Sequence, residues 1–119
     1  MRRLTLLTVL ALAAAAAAQA AAPGGTAPAP VSPPPSWLDY PPAALRNAEA
    51  GVVGYELSVD ATGAPTECRV TQSSGFAALD TETCRQLVKR GRFHPATDAT
   101  GTARPGVYRS AVTWSVTPR

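Results

Sequence analysis

The chain has 119 residues and a formal charge of +3, with two Cys and one His. That leaves room for one small domain. It gives too weak a basic excess for a nucleic-acid footprint and too few soft ligands for a zinc site. Arg2 and Arg3 lie in a segment that reads as a leader, so the chain beyond residue 20 carries only +1 (3 − 2).

Met1-Arg2-Arg3 is a short basic start, Leu4–Ala18 is apolar apart from two threonines, and Ala18-Gln19-Ala20 fits a small-x-small cleavage site. The pattern predicts a secretory signal peptide over residues 1–20. The competing reading is an uncleaved anchor, but the run is mostly alanine, which is weakly hydrophobic for a span. Residues 21–36 are rich in Pro, Ala and Gly and carry no charge. They are expected to form an extended, semi-rigid linker. Residues 37–119 then make the domain.

Pro41–Ala50 is expected to form a short helix, with proline in its first turn and Gly51 ending it. Val53, Tyr55, Leu57 and Val59 alternate with polar or small residues, which predicts a strand. Asp60-Ala61-Thr62-Gly63 supplies a turn, and a second strand follows over Pro65–Gln72, closing a hairpin. In that strand Cys68 and Val70 share one face and Glu67, Arg69 and Thr71 the other.

Ser73-Ser74-Gly75 breaks the chain. Asp80 is the expected N-cap of a second helix, with Leu79 and Cys84 as a hydrophobic staple. Cys84, Leu87 and Val88 form its apolar stripe. Lys89 and Arg90 suit its last turn, and Gly91 suits a left-handed residue beyond it. Strand and helix must bury their apolar sides together, so Cys68 and Cys84 point into one layer, as a disulfide requires. An export signal agrees with that pairing. The alternative is two free buried thiols. After a polar loop to Gly106 comes a last strand, with Tyr108, Val112, Trp114 and Val116 on one face and Arg109, Thr113 and Ser115 on the other.

The element order is helix, strand, strand, helix, strand. It predicts a two-layer α+β sandwich, with two helices on a three-stranded antiparallel sheet of order 2-1-3. The last strand then lies at the sheet's rim, with backbone groups free for a partner.

Catalytic groupings are nearly absent. His94 precedes a proline in an expected exposed loop, and the acidic residues are scattered along the chain. No enzyme activity, metal or cofactor is expected. Trp114 at strand spacing reads as core or rim rather than as a ligand platform.

Together, several pieces resemble the TonB C-terminal domain family over about residues 39–116. These are Tyr40-Pro41 with Ala44, Gly51-x-Val53, Val59 with Gly63, Ser73-Ser74-Gly75, Leu79-Asp80 and Phe93-x-Pro95-Ala96. The Cys68/Cys84 pair is similar to a variant found in part of the family. The resemblance implies the same fold and a periplasmic location. It also implies a role in coupling an inner-membrane motor to outer-membrane receptors. There the last strand grips an extended receptor segment, the TonB box, by β-augmentation.

Mapped here, the gripping strand is Val107, Tyr108, Arg109, Ser110, Ala111, Val112, Thr113, Trp114, Ser115 and Val116. The partner is such a receptor segment or another envelope protein. A homodimer or the linker covering the same edge is the alternative. A force-transmitting member carries a membrane helix with a histidine and a long proline-rich reach. Residues 1–22 hold no histidine and the linker is short, so the chain resembles the receptor-binding half alone. A short anchored transducer and a small secreted binding or inhibitor protein are the other readings.

The mature N-terminus decides between export and anchoring. N-terminal sequencing of the protein recovered from its native host is expected to begin at Ala21. An intact Met1 would restore the membrane-anchored transducer.

Overall fold

The structure, a computed structural model, describes residues 24–116. The expected signal peptide lies outside these residues. The elements in chain order are β1 (Ala29–Pro30), a single 3₁₀ turn (Pro34–Trp37), α1 (Pro42–Arg46), β2 (Gly51–Val59), β3 (Pro65–Gln72), α2 (Ala77–Arg90), β4 (Phe93–His94), β5 (Ala96–Thr97), β6 (Ala103–Arg104) and β7 (Gly106–Trp114).

Alternation along β2 sets the centre of the molecule. Val53, Tyr55, Leu57 and Val59 are each no more than 1% exposed, since one face of the strand is turned wholly toward α2. β2 pairs antiparallel with β3 on one side and β7 on the other, giving the order β3-β2-β7. This is the expected two-layer α+β sandwich with the last strand at the rim. Leu79 and Leu87 from α2, with Phe93, Val112 and Trp114, complete the core.

Both hairpin turns use the same device. Asp60 Oδ1 accepts from the Thr62 amide, the Thr62 hydroxyl and the Ala64 amide. Asp98 Oδ1 accepts from the matching three donors of Thr100 and Thr102. Gly63 and Gly101 follow with φ of 92° and 83°, where a side chain would be strained. The region expected as a polar loop up to Gly106 therefore contains a second small hairpin, β5–β6. His94 sits in β4 rather than in a loop, and it is exposed.

Several local expectations are corrected. α1 ends at Arg46, well before Gly51. Its end is a Schellman turn, in which the Glu49 amide donates to Ala44 O and the Ala48 amide to Leu45 O. Ala48 itself is left-handed, at φ 54°. Gly51 is instead a strand residue.

α2 begins at Ala77, so Asp80 lies inside its first turn and Leu79 within its buried stripe. Neither an Asp80 N-cap nor the staple forms. Gly91 is extended (φ −63°, ψ 145°) rather than left-handed. Glycine fits there because a Cβ would stand 2.5 Å from Leu87 O. Val116 falls past the end of β7 and is 38% exposed, so it takes no part in the inner face.

The expected linker is in part folded. Thr26 and Thr97 bond to each other's backbone carbonyls at 3.0 Å in both directions. Ala29 pairs with His94 and Pro30 with Phe93, and Pro28 is buried.

Cys68 and Cys84 are joined, with Cα atoms 5.3 Å apart and a sequence separation of 16. The bond ties β3 to α2. Closing a loop of this size stabilises a chain by about 3 kcal/mol in the entropy model. For a small domain this is a large share of net stability. Cys68→Ser is expected to lose roughly 2–5 kcal/mol in urea unfolding. Thiol titration of the unreduced native protein should find no free cysteine; two reactive thiols would contradict the bond.

Candidate functional site: the β7 edge and its supports

The sheet has two rims, and they are built differently. β3 meets β2 with two register shifts, between Gly54 and Tyr55 and between Ser58 and Val59, and it begins at Pro65. Irregularity, proline and charge are the usual means of spoiling an edge for pairing. β7 is the reverse case. Its nine residues pair with β2 from Gly106↔Val59 to Trp114↔Gly51 without a shift, and none is proline. Among the described residues, the outer backbone of β7 joins no other strand.

Each face of β7 carries different chemistry. On the open face Arg109 Nε donates to Glu56 Oε2 at 2.7 Å, and Arg69 Nη2 on β3 donates to Glu56 Oε1 at 2.8 Å. One carboxylate in the middle strand is thus shared by two guanidinium groups. The bond from Arg69, opposed by partial burial and reinforced by Arg109, holds the Glu56 carboxyl below the usual range. Glu56, expected to be one of several scattered solvated acids, is the electrostatic centre of that face. On the helix face Tyr108, Val112 and Trp114 point inward. A cleft of about 300 Å³ runs beside the end of the strand, lined by Pro35, Leu38, Tyr40, Val112, Thr113, Trp114 and Ser115.

Trp114 anchors this end of the strand. Its indole N–H donates to Thr83 Oγ1 at 2.9 Å, and that hydroxyl donates to Leu79 O at 2.7 Å. Thr83 is fully buried. A buried indole needs an acceptor, so a tryptophan on an inner face signals a polar residue on the helix. Of the two expectations for Trp114, core or rim, the structure places it in the core, 5% exposed. Tyr40 packs edge-on against its ring at 5.0 Å between centroids, and the Tyr40 hydroxyl donates to Glu49 O.

The segment before α1 is tied to α2. The Asp39 amide donates to Gln86 Oε1 at 2.7 Å, Gln86 Nε2 donates to Asp39 O at 2.9 Å, and Arg90 bonds both Trp37 O and the Asp39 carboxylate. Thr83, Gln86 and this clamp were not singled out by sequence reasoning. Buried polar residues inside an apolar helix stripe, at 83 and 86, were the available signal.

The residues that carry the family pattern are brought together in two corners, and most stand away from β7. In the first corner, Asp80 accepts from the Ser73 hydroxyl and from the amide and hydroxyl of Ser74. Gly75 turns at φ 97°. A Cβ on Gly51 would lie 2.6 Å from Ser74 O, so glycine is required there by close approach. In the second corner, the Phe93 amide donates to Gly63 O at 2.9 Å, and a Cβ on Gly63 would fall 2.0 Å from Phe93 O. Pro95 and Ala96 continue this packing, with Ala96 against Gly106. Phe93 also stacks with Trp37 and Tyr108. Pro41 precedes α1 as its N-cap residue. Of the pattern, Gly51, Val53 and Val59 pair with β7 from within β2, and Tyr40, Phe93 and Ala96 reach it from outside the three-stranded sheet.

Among the described residues no three His, Cys, Asp or Glu side chains group as a metal set, and no helix is long and apolar enough to cross a membrane. The class so defined is a small α+β domain whose most regular unused hydrogen-bonding surface is a strand edge. The chain belongs to the TonB C-terminal family: the model described as Gram-negative bacterial TonB protein C-terminal matches residues 37–116. Protein tonB2 of Pseudomonas aeruginosa is 41% identical over 58 residues, which is 49% of this chain and 21% of that protein. The match thus spans about a fifth of that relative's length.

The first corner makes a pH prediction. Burial raises the Asp80 carboxyl, but the bonds from Ser73 and Ser74 outweigh it and hold the group below its ordinary 3.8. A depressed folded value means that the stabilisation is present above the unfolded value and is lost as pH falls through the folded one. Asp80→Asn is therefore expected to be less stable than the parent at neutral pH, with the gap closing below about pH 4. A gap unchanged down to pH 2 in thermal unfolding would refute the ionised role of Asp80.

Proposed function

We propose that this chain is an envelope-located TonB-type domain that takes up an extended segment of an outer-membrane receptor as an added strand on β7. Main-chain bonds to the free side of β7 supply affinity. Side chains on either face of the new strand meet Arg109 on one side and the Pro35–Leu38–Tyr40 cleft on the other. Family membership supports the TonB-type role and the receptor as the kind of partner. It also supports a transport protein rather than an enzyme.

The observation that carries the reading is the contrast between the rims. β3 is shifted twice and starts with proline, whereas β7 keeps nine residues in unbroken register. Polar Arg109, Thr113 and Ser115 let such an edge remain soluble while unoccupied. Location in the periplasm, and release from the membrane by cleavage after residue 20, complete the proposal.

A proline scan along residues 107–113 tests it. Proline removes one amide donor, and amides along a strand point alternately to its two sides. Variants of one parity are expected to unfold, because their amides bond to β2. Variants of the other parity should fold normally and lose binding to a receptor-derived extended peptide. If the folded variants bind as well as the parent, β7 is not the receiving strand.

A further inference from the structure

We propose that residues 24–31 form a releasable clasp. The strand over these residues is an intramolecular strand addition that peels from the 92–97 edge when its N-terminal end is drawn away, extending that end of the chain while the three-stranded sheet stays folded. This does not depend on whether β7 receives a partner.

The attachment is specific but slight. Thr26 and Thr97 exchange backbone bonds at 3.0 Å, their hydroxyls meet at 2.8 Å, and the Val31 amide donates to Arg92 O at 3.0 Å. Between them Ala29 and Pro30 lie opposite His94 and Phe93. Pro28 and Pro30 carry no amide proton, so neither can donate to a neighbouring strand. Pro28 is the sole buried residue of the stretch, while Thr26, Ala27, Ala29 and Val31 are exposed. It fits because position 106 is glycine: a Cβ there would come 2.9 Å from Pro28 Cγ and 2.8 Å from Ala96 Cβ. By contrast, β2 buries four side chains to 1% exposure or less. Local opening follows such differences in buried contact.

Direction matters as much as strength. The leader runs antiparallel to 93–97 with its free end at Thr26 and its rooted end at Val31, where Ser32 and three prolines lead into the domain. A pull at Gly24 loads the Thr26–Thr97 pair first and then each contact in turn, so the bonds break singly rather than together. Opening frees eight residues, Gly24 to Val31, or about 28 Å of chain at roughly 3.5 Å each.

The test is single-molecule stretching of the full mature domain, held at its N-terminus and through an azide-bearing side chain replacing Lys89 on the exposed face of α2. The parent should show a short, reversible extension of at most the freed length before the domain unfolds. A bonded antiparallel pair has the Cα spacing a disulfide accepts, so Thr26→Cys with Thr97→Cys should lock the clasp and abolish that first event. Thr97→Pro, which deletes one of the paired donors, should move the event to lower force and leave later unfolding unchanged. Without load, the Val31 and Thr97 amides should exchange faster than those of β2 in the parent and more slowly in the locked variant. A single unfolding event in the parent would overturn the clasp. So would a short event that survives cross-linking, or Val31 and Thr97 amides as protected as those of β2.

Discussion

Saturation of β2 is the constraint on which the rest depends. A strand has two hydrogen-bonding sides, and β2 uses both from Gly54 to Val59, toward β3 and toward β7. Its inner side chains are sealed by α2. Nothing further can be added at the centre, so any partner recruited through the sheet's backbone must come to a rim. The crossover through α2 places β7 on the far side of β2 from β3, and the disulfide holds that crossover to β3. The rim left open on the far side is β7, the last of the described strands in chain order.

A bare edge is a hazard as well as an opportunity, and the two rims answer it differently. β3 is distorted and stapled. β7 is straight but carries charge, with Arg109 held down by Glu56 on the open face and Trp114 pinned through Thr83 on the other. A strand fixed at its side chains and unspent along its backbone has already met the ordering cost that strand addition imposes on the receiving side. The residues shared with the family serve this indirectly. Gly51, Ser73, Ser74 and Asp80 fix one corner of the sheet, and Gly63, Phe93 and Ala96 fix the other.

The fold was largely legible in the sequence because periodicity reports which face is buried. The alternation from Val53 to Val59 and the α2 stripe each specify a layer, and the Cys68/Cys84 pair joins them. Less legible were features in which backbone meets backbone. Gly51 and Gly91 read as helix terminators, yet both are glycine because a carbonyl stands where a Cβ would go. That contact lies tens of residues away for Gly51 and leaves no local pattern. Asp80 read as a cap because capping and turn bonding ask for the same carboxylate. The leader's docking rests on one buried proline and a few amide bonds, which composition alone does not reveal. The β5–β6 hairpin did leave a sign: Asp-Ala-Thr-Gly occurs at 60–63 and again at 98–101, and the second copy folds as the first does. At the candidate site, the rim position of β7 followed from topology. The roles of Glu56, Thr83 and Gln86 needed three dimensions, since each bonds to an element distant in sequence.

Amide hydrogen exchange, with and without an extended peptide from an outer-membrane receptor, tests the central claim most directly. It reads the outer backbone of each strand separately. The account predicts that alternate amides of β7, those not bonded to β2, gain protection on binding while β3 gains none. Protection confined to the β2–β3 hairpin or to the helices, with no gain between residues 107 and 114, would contradict it.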